Sequence, residues 1–110
     1  MKLINVPFAV TDWSKITPIE HKGETGTSFW RVVESGNVRT RVVDFSAGFV
    51  SDHYCSRGHV VFVLEGDHII KLKDGTQHIL TAGMSFQTAD DEINPHLAMS
   101  NKGGKVFIVD

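Results

Sequence analysis

The only cysteine of the chain and two of its six histidines fall within Asp52-His53-Tyr54-Cys55-Ser56-Arg57-Gly58-His59. Imidazole and thiolate are the ligands that zinc and other late first-row metals favour, and a bound thiol is deprotonated. The mixture therefore suits such an ion better than a hard, oxygen-loving cation. On a strand, residues two apart face the same way, which puts His53 and Cys55 on one side about 6 to 7 Å apart at the backbone. Ser56-Arg57-Gly58 then turns the chain and leaves His59 at the start of the next strand, on the face of Val61 and Val63. A fourth ligand has to come from afar. His96 is the best candidate, because it follows Asn94-Pro95, where proline stiffens the approach to a strand, and shares a face with Ala98 and Ser100.

The elements that must position these residues read as short strands. Phe29 to Glu34 and Val38 to Phe45 are β-rich and joined at Ser35-Gly36-Asn37, a hairpin signal. Phe49 to Cys55 reads as a further extended segment. Val60-Val61-Phe62-Val63-Leu64 is apolar at every position, so both of its faces call for cover, one from the core and the other from a second sheet, the N-terminal arm or a partner chain. That favours a homodimer. After a turn at Glu65-Gly66, Asp67 to Lys73 and Thr76 to Leu80 flank the hairpin signal Asp74-Gly75. Met84 to Thr88, His96 to Ser100 and Lys105 to Val109 supply the remaining strands. Residues 1–22, with two prolines and irregular hydrophobics, read as an arm or edge strands on a barrel domain of residues 23–110. Sustained helical periodicity is missing throughout. The fold class is all-β, a sandwich or barrel, with a double-sheet jelly roll able to protect its edges at this size.

The chain's 110 residues suit one domain. With 41% apolar and 22% charged residues it is neither disordered nor fibrous, and a net charge of −2 leaves no electrostatic footprint for nucleic acid or anionic lipid. No apolar run approaches membrane-spanning length, and the N-terminus lacks the apolar core of a signal peptide. One cysteine cannot form a disulfide within its own chain, which points to a reducing compartment, the cytoplasm. Nucleotide-binding glycine loops and CxxC pairs do not occur.

Residues 48–66 resemble the first motif of the cupin family, here Gly48, His53-x-Cys55, His59 and Gly66, with cysteine in place of the second histidine and histidine in place of the glutamate. Both replacements keep a metal ligand. The second motif resembles Gly83 through to His96, and the choice of His96 rests partly on that likeness. Its usual PxG gives way to Ala89-Asp90-Asp91, and Ser100 stands where asparagine is usual. A narrower resemblance, to the small bacterial DHCW-motif cupins, runs over nearly the whole chain. It is carried by Gly23-x-Thr25-Gly26, Trp30-Arg31, Arg39-x-Arg41, Asp52-His53-x-Cys55, Gly58-His59, Glu65-Gly66 and Phe107-Ile108-Val109-Asp110, with Tyr54 where tryptophan is usual. These resemblances imply a cupin-type double-stranded β-helix, a jelly-roll barrel with a divalent metal near its mouth, commonly dimeric. They name no substrate, because cupins host dioxygenases, isomerases, decarboxylases, storage proteins and sensors.

The expectation is therefore one divalent transition metal, zinc or iron, on His53, Cys55, His59 and His96. An enzyme, an oxygenase or isomerase among the options, would keep a coordination position open for a small molecule. A non-catalytic binding module or sensor would close the site with all four residues. A nucleophilic cysteine is a weaker reading, because neither an oxyanion hole nor an orienting acid is recognisable. Arg31, Arg39 and Arg41 are candidates for holding a substrate carboxylate, against a solvated charged face, and Tyr54 for a pocket wall. His21, His68 and His78 are expected as surface or strand residues without a role, and Trp13 and Trp30 as core or interface aromatics.

Overall fold

A computed structural model describes residues 1–110. Its nine strands are β1 (Ile19–Lys22), β2 (Thr27–Ser35), β3 (Val38–Phe45), β4 (Phe49–Val50), β5 (His59–Leu72), β6 (Gln77–Thr81), β7 (Ser85–Thr88), β8 (His96–Ser100) and β9 (Gly104–Val109). Every pairing between them is antiparallel. The expected hairpins form, β2 with β3 around Gly36 and β5 with β6 around Asp74-Gly75. No helix is long and apolar enough to cross a membrane.

One strand organises the rest. The first half of β5 pairs with β7 and β9, and so belongs to a sheet ordered β7-β5-β9-β3-β2-β1. Its second half pairs with β6 and β8 in a sheet ordered β6-β5-β8-β4. The sequence suggested that the chain turns at Glu65-Gly66; instead the strand continues through it, bending at a register shift between Val63 and Glu65. Gly66 is required there. It has φ +70°, and a Cβ would run into the Gly103 carbonyl, because β9 starts directly against the bend. The two sheets curl over one another, and an isolated bridge between Thr25 and Val50 joins their far margins.

The all-apolar run resolves into simple alternation. Val61 and Val63 are buried and join Val43, Ile70, Leu80, Val106 and Ile108 in the core, whereas Val60, Phe62 and Leu64 point outward and are 41–45% exposed. The N-terminal residues run along the body without regular pairing before β1. Asn37 fastens them, accepting from the Ile4 N–H and donating to the Lys2 carbonyl, and Trp13 meets Phe107 edge-on at 6.0 Å. Phe8 and Val10 remain almost fully exposed.

Six polar or charged residues are buried: Ser28, Arg41, Asp67, His68, His96 and Ser100. Asp67 and Ser100 satisfy one another at the end of β8. The Ser100 hydroxyl donates to the Asp67 carboxylate at 2.6 Å, and the N–H groups of Asn101 and Lys102 donate to it as well. The other four surround a single cavity between the sheets. Burying polar groups is costly unless they are paired, so this concentration locates the site.

Candidate metal centre

Cys55 and His96 are brought together by backbone. The Cys55 N–H donates to the His96 carbonyl at 2.7 Å and the His96 N–H to the Cys55 carbonyl at 2.9 Å. Residues that exchange both bonds in this way lie directly opposite, with side chains on the same face. His59, the first residue of β5, reaches the same point from the other sheet. One donor atom from each of Cys55, His59 and His96 lies within 4.8 Å of the other two. The two imidazoles are closest, Nε2 to Nε2 at 2.8 Å.

The proton arrangement at His59 follows from its neighbour. Nδ1 lies 3.2 Å from Oδ2 of Asp110. Burial opposes ionisation of Asp110, but the Arg39 hydrogen bonds, the Arg41 charge and the His59 contact outweigh it and hold the carboxyl far below its ordinary range. An ionised carboxylate only accepts, so His59 Nδ1 carries the proton and Nε2 presents a lone pair to His96. Two nitrogens at that separation need either a shared proton or a cation between them. Burial, ahead of all other causes, lowers the pKa of both rings, to about 4 for His96, and so favours the neutral form that ligates metal. The donor set thus fits a divalent transition metal, with Asp110 in the orienting position that carboxylates take behind metal-bound histidines.

Asp110 was missed as a functional residue. Its side chain is 1% exposed and accepts from Arg39 Nε and Nη2 (2.9 and 3.0 Å) and Arg41 Nη2 (2.9 Å), with Arg57 at 3.4 Å. What brings it there is the pairing of β3 with β9, extended by mutual backbone bonds between Arg39 and Asp110. The only sequence signal was its place in the closing Phe107-Ile108-Val109-Asp110.

His53 is placed differently from the other three predicted ligands. In the expected Phe49 to Cys55 strand the ladder ends at Val50 and only the single bridge at Cys55 resumes pairing, so the period-two argument for His53 and Cys55 does not operate. His53 touches the cavity, but its side chain is 72% exposed and its Nδ1 lies 2.6 Å from the Asp52 carboxylate. It is not among the converging donors.

His68 corrects the sequence reading in the opposite sense. Expected as a surface or strand residue without a role, it does lie on a strand, β5, but is 3% exposed, sits between Phe45 and Phe86, and lines the cavity with Nδ1 lacking any partner. Burial, with smaller contributions from His59 and His96, pushes its pKa down to about 4. His21 and His78 are exposed as expected. Of the three arginines, Arg31 is engaged by Asp44 and the Ile16 carbonyl, Arg39 by Asp110, and only Arg41 lines the cavity. Tyr54 does not line it, and Lys73 lies over its ring at 4.6 Å. Trp30 does, with the Arg41 guanidinium 4.6 Å from its ring centre.

The architecture has close counterparts among solved structures. An RmlC-like cupin from Shewanella frigidimarina superposes with a TM-score of 0.74 over 96% of this chain and 92% of its own, at 18% identity. The fold is the cupin fold. A predicted oxalate decarboxylase from Thermotoga maritima matches at TM-score 0.73 and 17% identity over 92% of this chain and 96% of its own. The Fe(II) form of HppE matches at 0.73 and 15% identity, where this chain covers 62% of that protein's length. No protein-family model matches the sequence, and neither does any curated protein. Within the cupin fold, Cys55 and His59 from the first motif-like stretch and His96 from the second converge across the two sheets beside the cavity.

Proposed function

We propose that this chain is a small metal-dependent cupin acting on a small molecule, with one zinc or ferrous ion held by Cys55, His59 and His96. The observation that carries the reading is the approach of His59 Nε2 to His96 Nε2 at 2.8 Å, with the Cys55 donor beside them and Asp110 fixing the His59 proton. Three protein donors facing a cavity are what catalytic sites provide, since they leave a position for water or substrate. A bound ion would supply Lewis acidity toward a ligand oxygen and lower the pKa of coordinated water. The chain's own contributions are the orientation of His59 by Asp110 and the apolar wall of Val43, Phe45, Val61, Phe86 and Ile108, which limits water.

A second reading, a closed structural or sensing site, is favoured by one observation: His53 touches the same cavity and would need only to exchange Asp52 for the ion. Elemental analysis of protein purified without a chelating column, with cobalt substitution, tests both. The open-site reading expects one metal per chain, thiolate-to-cobalt absorption lost in Cys55→Ser, and unchanged stoichiometry in His53→Ala. Loss of metal from His53→Ala would support the closed site, and absence of stoichiometric metal after anaerobic, metal-replete growth would sink both.

We also propose a homodimer through the outer face carrying Val60, Phe62 and Leu64, where a second copy would cover apolar side chains left open in the monomer. Light scattering should give twice the chain mass, reverting to one in Phe62→Glu; a monomeric parent protein would refute this. A free Cys55 thiol fits a reducing, cytoplasmic setting.

A further inference from the structure

The cavity has a second polar region that the metal donors do not use. It has a volume of about 120 Å³, and ten of the seventeen residues that line it are hydrophobic. Against that wall, two buried polar atoms have no hydrogen-bond partner, Arg41 Nε and His68 Nδ1. They come from different sheets, Arg41 from β3 and His68 from the second half of β5. Both residues are at least nine-tenths buried, with 5% and 3% of their surface exposed. A buried donor left without an acceptor costs about 1–3 kcal/mol, so each atom is an unmet demand on a residue that lines a cavity with room for a ligand.

The demand at Arg41 is for an anion. Its guanidinium shares the single Asp110 carboxylate with Arg39, leaving one positive charge in excess between those two side chains. Burial, the largest cause, lowers the Arg41 pKa even though Asp110 raises it, so the partner does not fully offset the cost of enclosing the charge. Trp30 occupies one face of the guanidinium, and its own Nε1–H is spent on Ser28 at 2.9 Å. Of the Arg41 donors, Nη2 is engaged by Asp110, and the buried Nε–H has no acceptor. His68, neutral and clasped by two phenyl rings, can give or take one bond but supplies no charge.

We propose that this part of the cavity seats a small organic acid with an apolar body, its carboxylate accepting from Arg41 Nε–H and a further bond being made with His68. The acid is the substrate class of the centre described above, and to that extent the proposal rests on the same cavity being the functional site. A carboxylate fits better than a phosphate, because a single guanidinium that already shares Asp110, set in a mostly apolar wall, cannot balance a dianion with three terminal oxygens.

Calorimetric titration of chelator-treated and zinc-loaded protein tests this with isovalerate and benzoate, each against its neutral amide, and with inorganic phosphate. At least one acid should saturate in both forms and bind about tenfold or more tightly than its amide. Arg41→Lys keeps a charge for Asp110 but loses the Nε–H, and should cut acid affinity about tenfold while changing amide affinity less than about twofold. His68→Phe, which preserves the packing between Phe45 and Phe86, should weaken the acid by about threefold to tenfold. Failure of both acids to saturate, equal binding of acid and amide, tighter phosphate binding, or an undiminished acid preference in Arg41→Lys would each overturn the proposal. Zinc content measured on the same samples separates the two ideas. Acid preference without stoichiometric zinc refutes the metal reading alone, and stoichiometric zinc without acid preference refutes only this one.

Discussion

Asp110→Asn is expected to cost about 3–5 kcal/mol of folding free energy and to lower metal affinity about 10- to 100-fold. The first effect arises because the Arg41 side chain is 6% exposed and Arg39 20%, so that neither guanidinium can recover its lost counter-charge from solvent. The second arises because an amide in place of the carboxylate no longer compels His59 to carry its proton on Nδ1. Urea denaturation and metal titration measure the two separately, and Asp110→Asn combined with Arg41→Met should recover part of the stability without the metal affinity. The parent protein should also lose stability in acid. The Asp110 pKa is depressed on folding, so its contribution is complete above the ordinary carboxyl value and declines as pH falls below it toward the lower folded value. The variant should lack that component. A cost under about 1 kcal/mol would mean that water screens the cluster.

His68 gives the second large effect, in a different pH window. A histidine depressed from 6.5 to about 4 stays neutral in the folded chain while the unfolded chain takes up a proton. Stability is therefore complete above about pH 6.5 and falls as pH drops from there toward 4, by on the order of 3 kcal/mol for this group. The ring faces Phe45 and Phe86, with His59, His96 and Asp67 as the charged or titratable groups acting on it. His96 is depressed to a similar value and adds to the same slope in metal-free protein. His68→Phe should remove about one proton from that linkage and be neutral or stabilising near neutral pH, because the unpartnered Nδ1 disappears. Denaturation midpoints of chelator-treated protein across the window measure this, and an unaltered slope would show that His68 does not titrate as described.

How legible these features were depends on the range of the interaction. The hairpins at Ser35-Gly36-Asn37 and Asp74-Gly75 are local, written in turn residues, and both form. The jelly-roll class followed from strand spacing and the cupin-like motifs, and the fold agrees. Cys55 and His59 stood out because ligand-type residues cluster there, His96 was reached partly through the cupin-like second motif, and the fold brings the three together. What escaped was set by long-range pairing. Nothing near Asp110 announces that β9 lies beside β3 and delivers its carboxylate to Arg39 and Arg41. His53 was given a strand's geometry, but residues between Val50 and His59 form only the single bridge at Cys55. His68 read as a surface or strand residue flanking a charged hairpin, yet Asp67 to Ile70 are all buried, because there the bent β5 lies between β6 and β8 and is covered on both faces.

That bend has a further consequence. His59 and His68, one a candidate metal donor and the other in the proposed acid seat, are carried on opposite arms of one continuous strand, and each arm is stitched into a different sheet. The walls of the cavity are thus joined along a common spine, and their spacing is fixed by covalent geometry as well as by packing. Selection for a wider or narrower chamber would find little freedom in the sheets. The adjustable parts are the connecting segments 51–58 and 89–95, one of which carries Cys55, so that in this design a change of ligand size and a change of metal environment would be inherited together.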